Sequence, residues 1–124
     1  MEQEVNSISI NGVEYVRKDS VQENLKAQSL DGFPYQIVRT YTAGVFAGYV
    51  KSRNGQEVVM TQARRLWYWK GAESLSEMAI HGIRNPNECK FACPVDVTLI
   101  QAVELLNVTD KAQKSIQGVK IWQA

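Results

Sequence analysis

The residues best suited to chemistry in this chain lie together in Ala63-Arg-Arg-Leu-Trp-Tyr-Trp-Lys70. Read as a strand, alternation sets Arg65, Trp67 and Trp69 on one face and Arg64, Leu66 and Tyr68 on the other. An arginine beside two indoles suits a planar, phosphorylated ligand. The rings stack on a base, and the guanidinium pairs with a phosphate or a base edge. Arg39 and Tyr41 repeat the combination at the same parity on another candidate strand. Ala43 and Gly44 follow at once, small enough to let a ligand approach the backbone. Phe46 and Arg64 complete the candidate binding set of Arg39, Tyr41, Ala43, Gly44, Phe46, Arg64, Arg65, Trp67 and Trp69. The same tryptophans have a plainer use, as core or subunit-interface anchors with the arginines lying over them.

Signatures of catalysis are sparse. Gly44-Val-Phe-Ala-Gly48 spaces two glycines, but neither a Walker-type nor a dinucleotide-type phosphate loop follows. There is no G-x-S-x-G elbow and no H-E-x-x-H. The one histidine, His81, falls beside Gly82 at the end of a short helical pattern, where an imidazole caps the helix. The carboxylates are scattered, which leaves a general acid–base pair open. Cys89 and Cys93 are four apart and, with His81, give three soft ligands where a structural zinc wants four. They read as ordinary reduced thiols. The expectation is a binding protein with no catalytic residue, metal or cofactor.

The charge distribution agrees with that expectation. The 124 residues carry 14 basic and 13 acidic side chains, so the net charge of +1 rules out a bulk polycation. By segment, residues 1–34 hold three basic and six acidic groups, and residues 35–90 hold eight and four. Eight of the eleven aromatics also fall between Phe33 and Trp69, so cations and rings are concentrated together. Hydrophobic residues make up 44%, which suits one folded domain, and no apolar run reaches the ~18–20 residues of a membrane span. MEQEVNSISI has early acids and no basic n-region, unlike a signal peptide, and a cytoplasmic protein is expected.

These side chains need a scaffold, and the pattern is mostly β. Ser7–Val16, with Asn11-Gly12 at its centre, reads as a hairpin, followed by a polar linker in which Ser20 and Glu23 could cap a brief helix. Tyr35–Tyr41, Val45–Arg53, Gln56–Thr61 and Ala63–Lys70 read as four strands of an antiparallel meander, with Asn54-Gly55 a turn signal. Both faces of these strands carry apolar groups, so the sheet is expected to be covered twice or shared with a partner chain. Ser74 and Glu77 open a short helix that Gly82 stops. Val95–Val108 reads as one or two strands, Thr109 caps a second helix that Gly118 ends, and Val119–Trp122 is extended. The expected fold is α+β, with residues 1–34 as hairpin and linker and residues 35–124 as the core of a single domain.

Arg39-Thr-Tyr-Thr-Ala-Gly-Val-Phe-Ala-Gly-Tyr49, Ala63-Arg-Arg-Leu-Trp-Tyr-Trp-Lys-Gly-Ala-Glu-Ser-Leu75, Asn85-Pro-Asn-Glu-Cys-Lys90 and the closing Lys114-Ser-Ile116, Val119 and Trp122 resemble, in order, a family of small tailed-phage proteins. The resemblance covers about residues 35–124. It is similar in turn to phage sponges of cyclic oligonucleotide immune signals, the anti-CBASS proteins. This implies a homo-oligomer, a dimer or tetramer, in the infected bacterial cytoplasm. It would sequester a cyclic di- or trinucleotide without cleaving it. A single-stranded nucleic-acid binder is the alternative from the residues alone, and a protein–protein inhibitor or structural phage part is a third.

Overall fold

Strong local signals set the backbone of the computed structural model, which describes residues 26–123. The hairpin expected over Ser7–Val16 and the cap at Ser20 lie outside the described residues. Strands β1 (Tyr35–Thr40), β2 (Val45–Asn54) and β3 (Glu57–Tyr68) form an antiparallel meander. The turn between β1 and β2 closes on Thr40, whose N–H and hydroxyl both donate to the Gly44 carbonyl (2.9 and 2.7 Å). The β2–β3 turn is centred on Gly55 and Gln56, with Asn54 paired to Glu57 and Gly55 at φ 63°. The third and fourth expected strands are one. Gln62, at φ 53°, makes a bulge that bends β3 without ending it.

After β3 come helix α1 (Leu75–His81), a 3₁₀ turn (Pro86–Glu88) and the short strand β4 (Lys90–Phe91). Strands β5 (Val95–Leu99) and β6 (Ala102–Asn107) and helix α2 (Asp110–Gln117) complete the described part. The fold is thus α+β, a six-stranded antiparallel sheet with two short helices. Ser74 caps α1 by accepting from the Glu77 N–H (3.2 Å), and Gly82 ends it at φ 79°. Thr109 caps α2 by accepting from the Ala112 N–H (3.1 Å), and its own hydroxyl donates to the Ile80 carbonyl (2.6 Å), tying the two helices together. Neither helix is long and apolar enough to cross a membrane.

Apolar groups on both faces of the meander have separate explanations. Tyr35, Ile37, Ala47, Tyr49 and Leu66 meet Met78, Ala112 and Ile116 of the helices in one core. The other face is covered by the sheet itself. Strand β5 pairs with β3 and β6 with β1, so four ladder spacings, ~19 Å if flat, separate them. Yet only Ile100 and Gln101 join them, and Leu99 and Ala102 can stand no more than ~11 Å apart. The sheet must therefore roll. Val38, Phe46, Val50, Val58, Met60, Ala63, Leu99 and Ala102 fill the roll as a second core. The Tyr41 N–H donates to Gln101 and the Ala102 N–H to Gln56, which fastens the three turns at its rim (2.9 and 3.0 Å). No partner chain is needed to cover either face.

One buried group stands apart from this packing. The Tyr35 ring is edge-on to Tyr49 at 5.1 Å, but its hydroxyl is buried without a hydrogen-bond partner among the described residues. Removing it with Tyr35→Phe is expected to leave stability unchanged or raise it by up to about 1 kcal/mol near pH 8. Burial also pushes the Tyr35 phenol well above its ordinary value of 10.0. The unfolded chain then releases this proton first, so stability is unaffected below about pH 10 and falls as pH rises through that range. Denaturant titrations at several pH values check this. Tyr35→Phe should lose that part of the alkaline slope, and a loss of stability at pH 8 would mean that the hydroxyl has a partner.

Candidate functional site

Strand register decides which candidate residues can act together. Val38 pairs with Phe46 and Phe46 with Arg65, so these three share the side that faces into the roll. At the mouth of the roll the Arg65 guanidinium is flanked by two rings, 4.7 Å from the centroid of Phe46 and 5.2 Å from that of Trp67. Phe46 is buried, Arg65 is half-buried, and Trp67 is 57% exposed. The Arg65 Nε is buried and lacks a hydrogen-bond partner among the described residues. Continued past Phe46↔Arg65, the register sets Gly44 level with Trp67. A Cβ built on Gly44 meets nothing within 4 Å among the described residues, so Ala43 and Gly44 leave an open approach there.

The other candidates lie elsewhere. Arg64 is 3% exposed and faces the helix-side core. Its guanidinium donates to the carbonyls of Ala92 (2.8 Å), Ile116 (2.9 Å), Phe91 (3.2 Å) and Lys120 (3.4 Å). With four of its five N–H groups so placed, Arg64 is a structural clasp inside the protein. Arg39 pairs with Val45, which packs on the helix-side core, so Arg39 is on the opposite face of the sheet from Arg65. There it makes an exposed ion pair with Glu104 (2.9 Å). Tyr41 stands in the β1–β2 turn, 78% exposed. Trp69 lies past the end of β3 and packs against the helix-side core, because the strand stops at Tyr68 and alternation stops with it. The structure thus joins Phe46, Arg65 and Trp67, with Gly44 nearby, and separates Arg39, Arg64 and Trp69 from them.

A family model described as a domain of unknown function (DUF6948) matches residues 34–116. The chain belongs to that family. No curated protein and no solved structure matches it. The matched span takes in every strand among the described residues, so Phe46, Arg65 and Trp67 lie inside the family domain and the closing Ile121–Trp122 segment lies beyond it.

That closing segment contributes to the same region. Phe91 bridges Ile121 in parallel, and the Trp122 N–H donates to the Phe91 carbonyl (2.9 Å). The Lys90 ammonium is 5.5 Å from the Trp122 ring centroid. Tyr68, 51% exposed, is opposite Lys90 in the ladder. Lys70 pairs with Glu88 (3.1 Å), which raises its affinity for the proton. Sequence reasoning missed Lys90 and Trp122. Lys90 sits within a segment read for its thiols, and Trp122 is far along the chain from the other aromatics. The alternation of exposed Lys90 with buried Phe91 was the available signal.

The two thiols differ in their surroundings. Cys89 is buried, its Sγ 3.4 Å from the Asn85 carbonyl, and burial pushes its thiol up; Cys93 is exposed and free. Among the described residues no cluster of His, Cys, Asp and Glu is placed to hold a metal ion. His81 is exposed at the end of α1, as its sequence position suggests.

Proposed function

We propose that this chain binds a nucleotide ligand and holds it uncleaved, and that the ligand is a cyclic oligonucleotide of the kind bacteria use as immune signals. The supporting observation is the Arg65 guanidinium held between Phe46 and an exposed Trp67. Stacked against Phe46, the arginine is already ordered, so less side-chain entropy remains to be lost on binding. The indole supplies a stacking face and the guanidinium a cation for a phosphate. The reading includes a phage protein that acts in the host cytoplasm by sequestration. It also includes a homo-oligomer, a dimer or tetramer, because two copies enclose such an anion more fully than one.

Calorimetry of the full chain against a panel of cyclic di- and trinucleotides tests the reading. Tight binding is expected, with chemically intact ligand recovered after heating. Trp67→Ala should weaken binding by about tenfold or more, since a base on an aromatic ring contributes ~1–3 kcal/mol. The thermal midpoint should change little, because the ring is largely exposed. Absence of binding, or unchanged binding by Trp67→Ala, would sink the proposal, and degraded ligand would make the protein a nuclease. The exposed Tyr68 and Trp122 favour a second reading, a single-stranded nucleic-acid surface, whose affinity would fall steeply with salt.

A further inference from the structure

The geometry points to a second stacking station at Trp122, with Lys90 between it and Trp67, so that the unit recognised is two bases joined by a phosphate. This rests on the reading of Trp67 as a base platform. Leu66 and Phe91 are ladder partners, and both enter the helix-side core. Lys90 is therefore turned to the opposite face, and Trp67, at the irregularity between Leu66 and Tyr68, is placed there by its contact with Arg65. Trp122 joins them there, because its ring lies by the Lys90 ammonium at 5.5 Å. The order across the sheet is β3, β4 and the Ile121–Trp122 segment, each fastened to the next by backbone pairing.

Two strand spacings put the backbones that carry the indoles ~10 Å apart. Stacked bases rise only ~3.4 Å per step in one strand. A dinucleotide would therefore splay its bases onto separate rings, with its bridging phosphate above the Lys90 ammonium. Trp122 is 38% exposed and is a member of neither buried core, so its ring is available for stacking. A nucleoside monophosphate would occupy one station. A linear or a cyclic dinucleotide would occupy both.

Titrations of the full chain with mononucleotides, linear dinucleotides and cyclic dinucleotides, in adenine and guanine series, test this. Dinucleotides should bind at least tenfold more tightly than the mononucleotide. Trp122→Ala should reduce dinucleotide affinity to about the mononucleotide level and leave mononucleotide binding unchanged. Lys90→Gln, which retains the side-chain stem, should weaken dinucleotide binding severalfold and flatten its salt dependence. Preference for the cyclic form would identify a signal molecule as the source, and preference for the linear form a single strand. If Trp122→Ala and Lys90→Gln both leave dinucleotide binding unchanged, the second station is overturned while the Trp67 platform stands. If the unaltered chain binds none of these probes and no cyclic trinucleotide, the platform falls with it.

Discussion

Arg64→Met is expected to destabilise the protein by on the order of 3 kcal/mol, a large loss for a single side chain. The side chain is buried, and its guanidinium reaches β4, the loop after it, the last turn of α2 and the closing segment at once. Ile116 offers a carbonyl at a helix C-terminus, where a cation is favoured by the helix dipole as well as by hydrogen bonding. The Ile116 and Phe91 carbonyls have second donors, in Val119 and Trp122, whereas among the described residues Ala92 and Lys120 rely on Arg64. Methionine fills similar space but donates nothing, so those two carbonyls lose their donor. Burial lowers the arginine pKa, yet the group remains charged at neutral pH. Arg64→Lys keeps a charge, but one ammonium cannot serve all four carbonyls, so it should fall between the two. Urea unfolding of the three proteins measures the effect. If Arg64→Lys were as stable as the original, the charge alone would matter and the fork would not.

Where chemistry is local, the sequence was sufficient. The caps at Ser74 and Thr109 and the stops at Gly82 and Gly118 stand where their residue types place them, since each satisfies backbone groups within one turn. Alternation correctly joined Arg65 to Trp67 and parted them from Arg64. It could not say which of the two arginines is buried, because that depends on where the helices pack. It failed at Trp69, where the strand has ended, and at Arg39, where parity on one strand says nothing about the face until register is known.

The roll was less legible still. It follows from which strands β5 and β6 choose as partners, a pairing between residues far apart in the chain. The sequence offered one clue in Ile100 and Gln101, a connection too short to cross a flat sheet. The apolar groups on both faces imply a sheet that is covered twice or shared with a partner chain, and the chain covers one face with its helices and the other by curling. The same curl puts Phe46 behind Arg65, so the candidate site depends on it.

Gly48→Ala should test the curl directly, with an expected loss of about 2–3 kcal/mol. Gly48 alternates with Ala47, which faces the helices, and so points into the roll opposite the bulge at Gln62. A Cβ placed there would stand 2.6 Å from the Ala63 Cα and 3.0 Å from its Cβ and N. The nearest atom is backbone, which no rotamer change can move aside. Either β2 and β3 separate or the bulge is lost, and both open the roll beside Phe46 and Arg65. At ~4 °C per kcal/mol for a domain of this size, the thermal midpoint should fall by about 8–12 °C. Adding Ala63→Gly removes the clash with the Ala63 methyl but leaves the closer clash with its backbone, so the double variant should recover only part of the loss. Because Arg65 is ordered against Phe46, the surviving folded protein should also bind the nucleotide proposed above more weakly, even with Trp67 intact. Full recovery in the double variant would place the conflict between side chains and not backbones, and the close approach of β2 to β3 would then not be what requires glycine.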